Sequence, residues 1–180
     1  MGRACSIVMM LLMTSTAGEL AGQGSPGGGL NVDTIAPRPA DVETVDGIIK
    51  AFYEVISGPA GQPREWARDR TLYVPGVRFV SLGVRNGVPV ANVMTHDEYV
   101  ARTDPGLVAN GFFEVEVDRQ SDAFGNMMHV WSTYEYRGRA EGDVLGRGIN
   151  SIQLYHDGSR WWITAVIWDN ERPDNPLRPR

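Results

Sequence analysis

Apolar and polar side chains alternate along two stretches near the end of the chain, at 147–155 and 160–169. Between them lies Asp157-Gly158, which favours a hairpin because a type I′ turn needs positive φ at both central residues. A two-residue turn at this dipeptide pairs Asn150 with Ala165. Since side chains alternate across a strand, the pattern predicts one apolar face that also carries two polar groups. Its members are Asn150, Ile152, Leu154, Trp161, Ile163, Ala165, Ile167 and Asp169.

A different period appears upstream. Apolar residues recur every three or four positions over 41–57, which is typical of a helix with one buried face. Asp41 is the expected N-cap and Gly58 the expected C′ residue. Gly47 either weakens this helix or marks a close approach to another element. The expected core stripe is Val45, Ile48, Ile49, Phe52 and Ile56.

Turn and capping signals divide the middle of the chain. Pro63 suits the first turn of a short helix over 64–72. A hairpin is expected across Asn86-Gly87. Thr95-His96-Asp97-Glu98 is a capping box for a third helix, which Asp104-Pro105-Gly106 is expected to close.

Two long strands follow, at 112–119 and 127–136. The first has an apolar face of Phe113, Val115 and Val117 opposite acidic residues. The second places Met128, Val130, Ser132 and Tyr134 on one face. Helices followed by a strand meander predict an α+β fold, with helices on one face of a curved antiparallel sheet.

The first forty residues differ from the rest in composition. Residues 1–17 have a short positive start, an apolar run and small residues near Ala17, which is the layout of a secretory signal peptide. Residues 18–40 are a Gly- and Pro-rich tether, 41–173 the folded domain and 174–180 a tail. The prediction is export to the periplasm or the medium. Two alternatives are myristoylation at Gly2 and a cytoplasmic protein whose true start lies downstream of Met1.

Three segments carry a family resemblance: 124–135 (FGNMMHVWSTYE), 148–154 (GINSIQL) and the turn 157–158 with 161–163. With the element order, they make the chain resemble the nuclear-transport-factor-two-like superfamily over about 41–173, and its uncharacterised bacterial members most closely. This cone-shaped α+β fold is shared with ketosteroid isomerases, scytalone dehydratase and polyketide cyclases. The resemblance implies a cavity between the concave sheet face and the first helices. The catalytic positions of the isomerases and the dehydratase match no motif here, so none is carried over.

The expected cavity is lined by a few polar groups on apolar walls, as in small-molecule pockets. A carboxylate there has a raised pKa and can act as an acid or base near neutrality. Asp169 is the candidate for that role, with Tyr134 stabilising an enolate oxygen. The alternative is a structural Asp169 that caps a turn or pairs with Arg70, and an Asn150 that only satisfies main-chain groups. The expected ligand contacts are Tyr53, Trp66, Ser132 and Asn150.

Several other kinds of site have no motif in the sequence. No His-x-His or His-x-x-x-His pair occurs, so no metal is expected. No phosphate-binding glycine loop or Gly-x-Ser-x-Gly elbow occurs, and no cofactor is expected. A net charge of −5 without a basic cluster argues against nucleic acid. No apolar run reaches the ~18 residues of a membrane span.

The opposite face of the sheet is expected to carry Trp131, Trp162 and Trp168 among small polar residues. Interfaces are enriched in aromatic side chains and depleted of charges, and the superfamily often dimerises through its convex sheet face. A homodimer is therefore expected. The leading hypothesis for function is an exported protein that binds a small apolar or aromatic molecule. The alternatives are a cofactor-independent isomerase, cyclase or dehydratase, and an interaction module whose own side chains fill the interior.

Overall fold

The computed structural model describes residues 35–177. The helices are α1 (Pro39–Val42), α2 (Val45–Glu54), α3 (Trp66–Arg70) and α4 (His96–Asn110). The strands are β1 (Tyr73–Arg85), β2 (Val88–Met94), β3 (Phe113–Phe124), β4 (Met127–Arg137), β5 (Gly146–His156) and β6 (Trp161–Asn170). The expected signal peptide, most of the expected tether and the last three residues lie outside the described range, and those assignments stay predictions.

The six strands form one curved, unclosed sheet in the order β2-β1-β6-β5-β4-β3. Neighbours are antiparallel except β1 and β6, which run parallel. Helix α2 packs on β3 and β6, and α4 packs on β1 and β2. The side of the sheet that faces these helices is called the inner face here, and its centre is fully buried at Val130, Ile152 and Ile163. The predicted α+β class is confirmed.

The first predicted helix is split into α1 and α2. Thr44, with extended backbone, is the N-cap of α2, and its Oγ1 accepts a hydrogen bond of 2.9 Å from the Gly47 N–H. The prediction that Asp41 is the N-cap is therefore wrong. Gly47 does mark a close approach, because a Cβ at this position would overlap the carbonyl oxygen of Ala40.

Two buried polar clusters fix α3. Arg68 donates to both carboxylate oxygens of Asp41, at 2.7 and 2.8 Å, and also pairs with Glu54 and Glu65. Asp69 is fully buried; it accepts a 2.8 Å hydrogen bond from the Tyr73 hydroxyl and lies 2.6 Å from His96 Nε2. Because these partners lie on α1, β1 and α4, the clusters tie α3 to the surrounding elements.

The capping box at Thr95 and Glu98 is confirmed at the start of α4. The predicted end of this helix at Asp104-Pro105-Gly106 is wrong, because α4 continues to Asn110. Proline lacks an N–H and crowds the preceding turn, but Pro105 is solvent-exposed and the helix tolerates it. The helix ends where Gly111 takes a φ of 71°.

The Asn86-Gly87 hairpin is confirmed, with both residues at positive φ. The predicted register of the β5–β6 hairpin is wrong, first because the turn is longer than two residues. Asp157 Oδ1 accepts hydrogen bonds from the Ser159 and Arg160 N–H groups, so the loop spans 157–160 and His156 pairs with Trp161. Such side-chain to backbone bonds stabilise turns.

A β-bulge shifts the register again. Leu154 pairs with Ile163, but Gln153 pairs with Ala165, which leaves Thr164 as the extra residue. A bulge reverses the faces of the residues that follow it. Ile163 faces the helices as expected, whereas Ala165, Ile167 and Asp169 lie on the outer face of the sheet. The inner face of β6 continues with Val166, Trp168 and Asn170.

Candidate ligand cavity

A cavity of about 310 Å³ lies between the inner face of the sheet and helices α2 and α4. Most of its wall is aromatic or aliphatic, with a few polar groups, as in small-molecule sites. The aromatic side chains come from both helices, from three strands and from the residue before β3. The lining residues are Phe52, Ile56, Phe79, Tyr99, Thr103, Leu107, Phe112, Glu114, Tyr134, Tyr136, Asn150, Val166, Trp168 and Asn170.

Glu114 of β3 supplies the carboxyl group of this cavity. Burial raises its pKa to about 8, although a hydrogen bond from Asn150 acts in the opposite direction. That bond joins Asn150 Nδ2 to Glu114 Oε1 over 3.3 Å. Desolvation disfavours the charged form of a carboxyl group. Glu114 is therefore mostly protonated at pH 7 when no charged ligand occupies the cavity.

A chain of hydrogen bonds runs behind Asn150 toward the surface. Asn150 Nδ2 also donates to the Tyr53 hydroxyl at 3.1 Å, and that hydroxyl lies 2.6 Å from Ser132 Oγ. Ser132 gives its own hydrogen to Glu116 at 2.5 Å, so Tyr53 must donate to Ser132. Glu116 is in turn held by the guanidinium of Arg119. This chain fixes the orientation of the Asn150 amide toward Glu114.

Tyr134 forms the other polar corner of the cavity. Its hydroxyl donates to Asn170 Oδ1 at 2.7 Å. Burial, and then the charge of Glu114, raise the pKa of this tyrosine above its usual range, so it remains neutral near pH 7. Gly148 on the neighbouring strand makes room for the ring, since a Cβ there would lie 2.6 Å from Tyr134 Cζ.

The six residues expected to form the site occupy four different places. Tyr134 and Asn150 line the cavity. Tyr53 and Ser132 lie behind Asn150 in the hydrogen-bond chain. Trp66 packs edge-to-face on Tyr99 at 6.2 Å between ring centroids and donates to Asp104, so it supports the wall without lining it.

The Asp169 side chain does not enter the cavity beside Tyr134, because the bulge turns it to the outer face. There it forms an ion pair with Arg172. The expected alternative partner, Arg70, instead pairs with Asp97 at 2.6 Å. The place expected for a carboxylate at the end of β6 is taken by the amide of Asn170, and the carboxyl group of the cavity comes from β3.

Glu114 and Asn170 were missed by the sequence interpretation. Alternation along β3 shows that Glu114 and Glu116 share a face opposite the valines, but it does not show which face is inside. Val115 and Val117 are in fact exposed, at 43% and 50%. The sequence did carry one signal: the face of β3 with two glutamates differs sharply from the apolar face on the other side of the same strand. Asn170 became a cavity residue only through the bulge in β6.

Within residues 35–177, no three His, Cys, Asp or Glu side chains are grouped in a way that could hold a metal ion. Among the helices of this range, none combines the length and apolar character that a membrane span requires.

No protein-family model and no curated protein matches the chain. Among solved structures, a protein of unknown function with a cystatin-like fold from Nostoc punctiforme matches with a TM-score of 0.55 at 7% identity, covering 74% of this chain and 92% of that one. LinA matches with a TM-score of 0.50 at 5% identity, over 73% and 88%. An NTF-2 like protein of unknown function from Silicibacter pomeroyi matches with a TM-score of 0.44 at 14% identity, over 71% and 92%.

The chain has the nuclear-transport-factor-two-like fold. At these identities the likeness concerns the fold, and a fold of this kind does not determine an activity. What a nuclear-transport-factor-two-like sheet does provide is a concave face covered by helices. In this chain that face encloses a cavity with two hydrogen-bonded polar pairs, Glu114 with Asn150 and Tyr134 with Asn170.

Proposed function

We propose that this protein binds a small apolar or aromatic molecule in the cavity between the sheet and helices α2 and α4. The observation that carries the proposal is the cavity itself, about 310 Å³ with mostly aromatic walls. Burial of apolar ligand surface provides the main driving force. The alternative of an interior filled by its own side chains requires that no such cavity exists.

The test compares two variants of α4 that receive the same new side chain. Thr103 lines the cavity, and its hydroxyl donates to the Tyr99 carbonyl group of its own helix and to no other described residue. Thr103→Phe should fill the cavity and abolish binding of indole or naphthalene. Ala101→Phe, on the exposed side of the same helix, should leave binding unchanged. Saturation-transfer NMR on the full chain measures both. Equal binding by the two variants, or no binding by the parent, contradicts the proposal.

A second candidate function is acid–base catalysis without a cofactor, as in an isomerase, cyclase or dehydratase. The observation that favours it is a carboxyl group with a pKa of about 8 in the same cavity as the Tyr134 hydroxyl. A group that titrates near neutrality is a suitable proton donor or acceptor, and such catalysis typically contributes ~10²–10⁴-fold. We assign the acid–base role to Glu114 in place of Asp169. Glu114→Gln should abolish turnover of any substrate found, and Asp169→Asn should not.

We further propose that the outer face of the sheet forms a homodimer. Leu82, Trp131 and Ile167 are 37–42% exposed there around a wide groove. Trp168 contributes to the inner side, since its ring packs on Tyr99 at 6.1 Å. Trp162 bonds Asp157 and lies under the Arg160 guanidinium. Trp131→Glu should place an unpaired charge in the interface and give monomers in light scattering. A parent protein that is already monomeric contradicts the dimer.

Export remains part of the proposal and is supported by the N-terminal sequence pattern. Intact-mass analysis of the protein from its native host should show a start near residue 18. Recovery of the full-length, acylated chain would support the myristoylation alternative instead.

A further inference from the structure

The cavity favours one class of ligand by charge. We propose that it binds a small organic cation, an aromatic or alkyl ammonium ion, between its aromatic walls and the carboxylate of Glu114. This inference rests on the proposed ligand-binding function and specifies the ligand. It follows from the charges around the cavity, from the aromatic rings and from the hydrogen bonds of Glu114.

The first observation concerns charge. Among the described residues that line the cavity, Glu114 is an acid and none is a lysine, arginine or histidine. An anionic ligand would therefore meet a carboxyl group with no cation to compensate it, and an uncompensated buried charge is costly. A cationic ligand would meet the opposite charge that it requires.

The second observation concerns the walls. Three phenylalanines, three tyrosines and one tryptophan line the cavity. The face of an aromatic ring carries negative potential, and it attracts a cation within about 6 Å of the ring centroid. Tryptophan is the strongest of these partners, and Trp168 lies beside Tyr99. Quaternary ammonium ions are recognised in proteins by such groups of rings.

The third observation concerns Glu114 itself. Among the described residues, the Asn150 amide donates to its Oε1 atom, and no side chain donates to Oε2. A partly buried carboxylate with one neutral donor lacks a counter-charge. By comparison, the neighbouring Glu116 has the Arg119 guanidinium and the Ser132 hydroxyl. The partner that Glu114 lacks is a cation, and the cavity has room for one.

Binding should then be linked to a proton. In the protein without ligand, Glu114 is mostly protonated at pH 7, and a bound cation favours its ionised form. A quaternary ammonium ion has no proton of its own, so the balance is: protonated Glu114 plus the cation gives the ion pair plus one released proton. Its affinity should rise about tenfold per pH unit below a pH of about 8 and level off above it.

The ionisable groups packed around Glu114 come from α2, α4, β3 and β4. Tyr53 on α2, Tyr99 on α4 and Tyr134 on β4 all have a pKa raised above that of ordinary tyrosine, first by burial. Lys50 and Glu54 on α2 pair with each other at 3.4 Å, and Glu116 pairs with Arg119 on β3. The carboxyl group of Glu114 is the one whose pKa burial raises to about 8.

The experiment uses three probes on the full-length chain. Phenyltrimethylammonium and tert-butylbenzene have the same shape and differ in charge, and benzoate is the anionic counterpart. Chemical-shift titrations at pH 6, 7 and 8 give the affinities. Calorimetry in two buffers with different ionisation heats gives the protons released. We expect the ammonium ion to bind at least tenfold more tightly than tert-butylbenzene at pH 8, to release close to one proton below pH 7, and benzoate not to bind.

Glu114→Gln keeps the shape and removes the charge, and Glu141→Gln, at an exposed position, is its control. Glu114→Gln should still bind tert-butylbenzene but lose the preference for the ammonium ion and its pH dependence. If tert-butylbenzene binds the parent at pH 8 as tightly as the ammonium ion, the cation proposal fails while ligand binding stands. If no probe binds, both proposals fail. The pH dependence of the parent decides the matter even if Glu114→Gln does not fold.

Discussion

Asn150 Nδ2 lies 3.3 Å from Oε1 of Glu114, so an amide on β5 is bonded to the carboxyl group that β3 directs into the cavity. The same nitrogen donates to Tyr53, and both of its N–H groups are therefore used. The amide is fixed from behind by Tyr53 and Ser132, and its donor side faces Glu114. This arrangement couples the ionisation of Glu114 to a chain of groups that never contacts the cavity.

The first prediction concerns this coupling. Asn150→Ala should raise the pKa of Glu114 further, because the hydrogen bond from Asn150 lowers it in the parent. A ¹³C NMR titration of the Glu114 side-chain carboxyl group measures the change. Ser151→Ala, on the same strand with its side chain on the other face, should leave that pKa unchanged. A fall in the pKa on removal of Asn150 would show that the amide does not stabilise the carboxylate.

The second prediction concerns stability against pH. The pKa of Glu114 is raised to about 8 in the folded protein from 4.5 for the free side chain. The unfolded chain releases this proton first, so its contribution to stability is full below pH 4.5 and is lost as the pH rises toward 8. The loss is on the order of 3–5 kcal/mol. Glu114→Gln should remove this slope from the free energy of unfolding, measured by urea denaturation between pH 5 and 8. An unchanged slope contradicts the burial of the carboxyl group.

The third prediction compares two glycines in strands. Gly148→Ala should destabilise the fold and displace the Tyr134 ring, because the new Cβ would lie 2.6 Å from Tyr134 Cζ. Gly83→Ala in β1 should be tolerated, since nothing lies within 4 Å of the corresponding Cβ. Overpacking typically costs about 1–3 kcal/mol. Thermal unfolding and the NMR shifts of Tyr134 measure both variants, and equal stability of the two would be inconsistent with the packing described.

The fourth prediction concerns the ion pair that joins α3 to α1. Arg68 and Asp41 have side chains that are only 10% and 7% exposed. Arg68→Met leaves Asp41 as an uncompensated buried charge, which should lower the free energy of unfolding by about 3–5 kcal/mol. The double variant Arg68→Met with Asp41→Asn should recover part of this loss because the stranded charge is gone. The ion pairs of Arg68 with the exposed Glu54 and Glu65 should contribute little to the free energy of unfolding. If the double variant is less stable than Arg68→Met alone, the cost has another source.

The ion pair between Arg68 and Asp41 should also make the stability of the protein depend on pH in the acid range. Arg68 lowers the pKa of Asp41, so the stability that this carboxylate contributes is present above pH 3.8 and is lost as the pH falls through its depressed pKa. Acid titration of the parent and of Asp41→Asn should therefore differ below pH 4. Arg172→Met, which breaks an ion pair on the outer face, should not reproduce the effect.

The sequence by itself determined the class of the fold and several local features, because these depend on neighbouring residues. Two adjacent residues with positive φ define the Asn86-Gly87 turn, and the Thr95 and Glu98 side chains satisfy each other's backbone N–H groups at the start of α4. Alternation along β4 correctly placed Val130, Ser132 and Tyr134 together, since that strand is regular. The expectation of a cavity came from the resemblance to the nuclear-transport-factor-two-like superfamily.

The tertiary structure alone decided which carboxyl group belongs to that cavity. A single extra residue in β6 reverses the faces of all that follow it, and the bulge at Thr164 moved Asp169 outward and Asn170 inward. In β3, alternation defines two faces but not the inner one. Pairing with β4 selected it: Glu116 lies opposite Tyr134, and Glu114 opposite Tyr136. The glutamates face inward because Asn150, Ser132 and Arg119 donate hydrogen bonds to their carboxyl groups there. The residues next to the glutamates in the sequence do not indicate these partners.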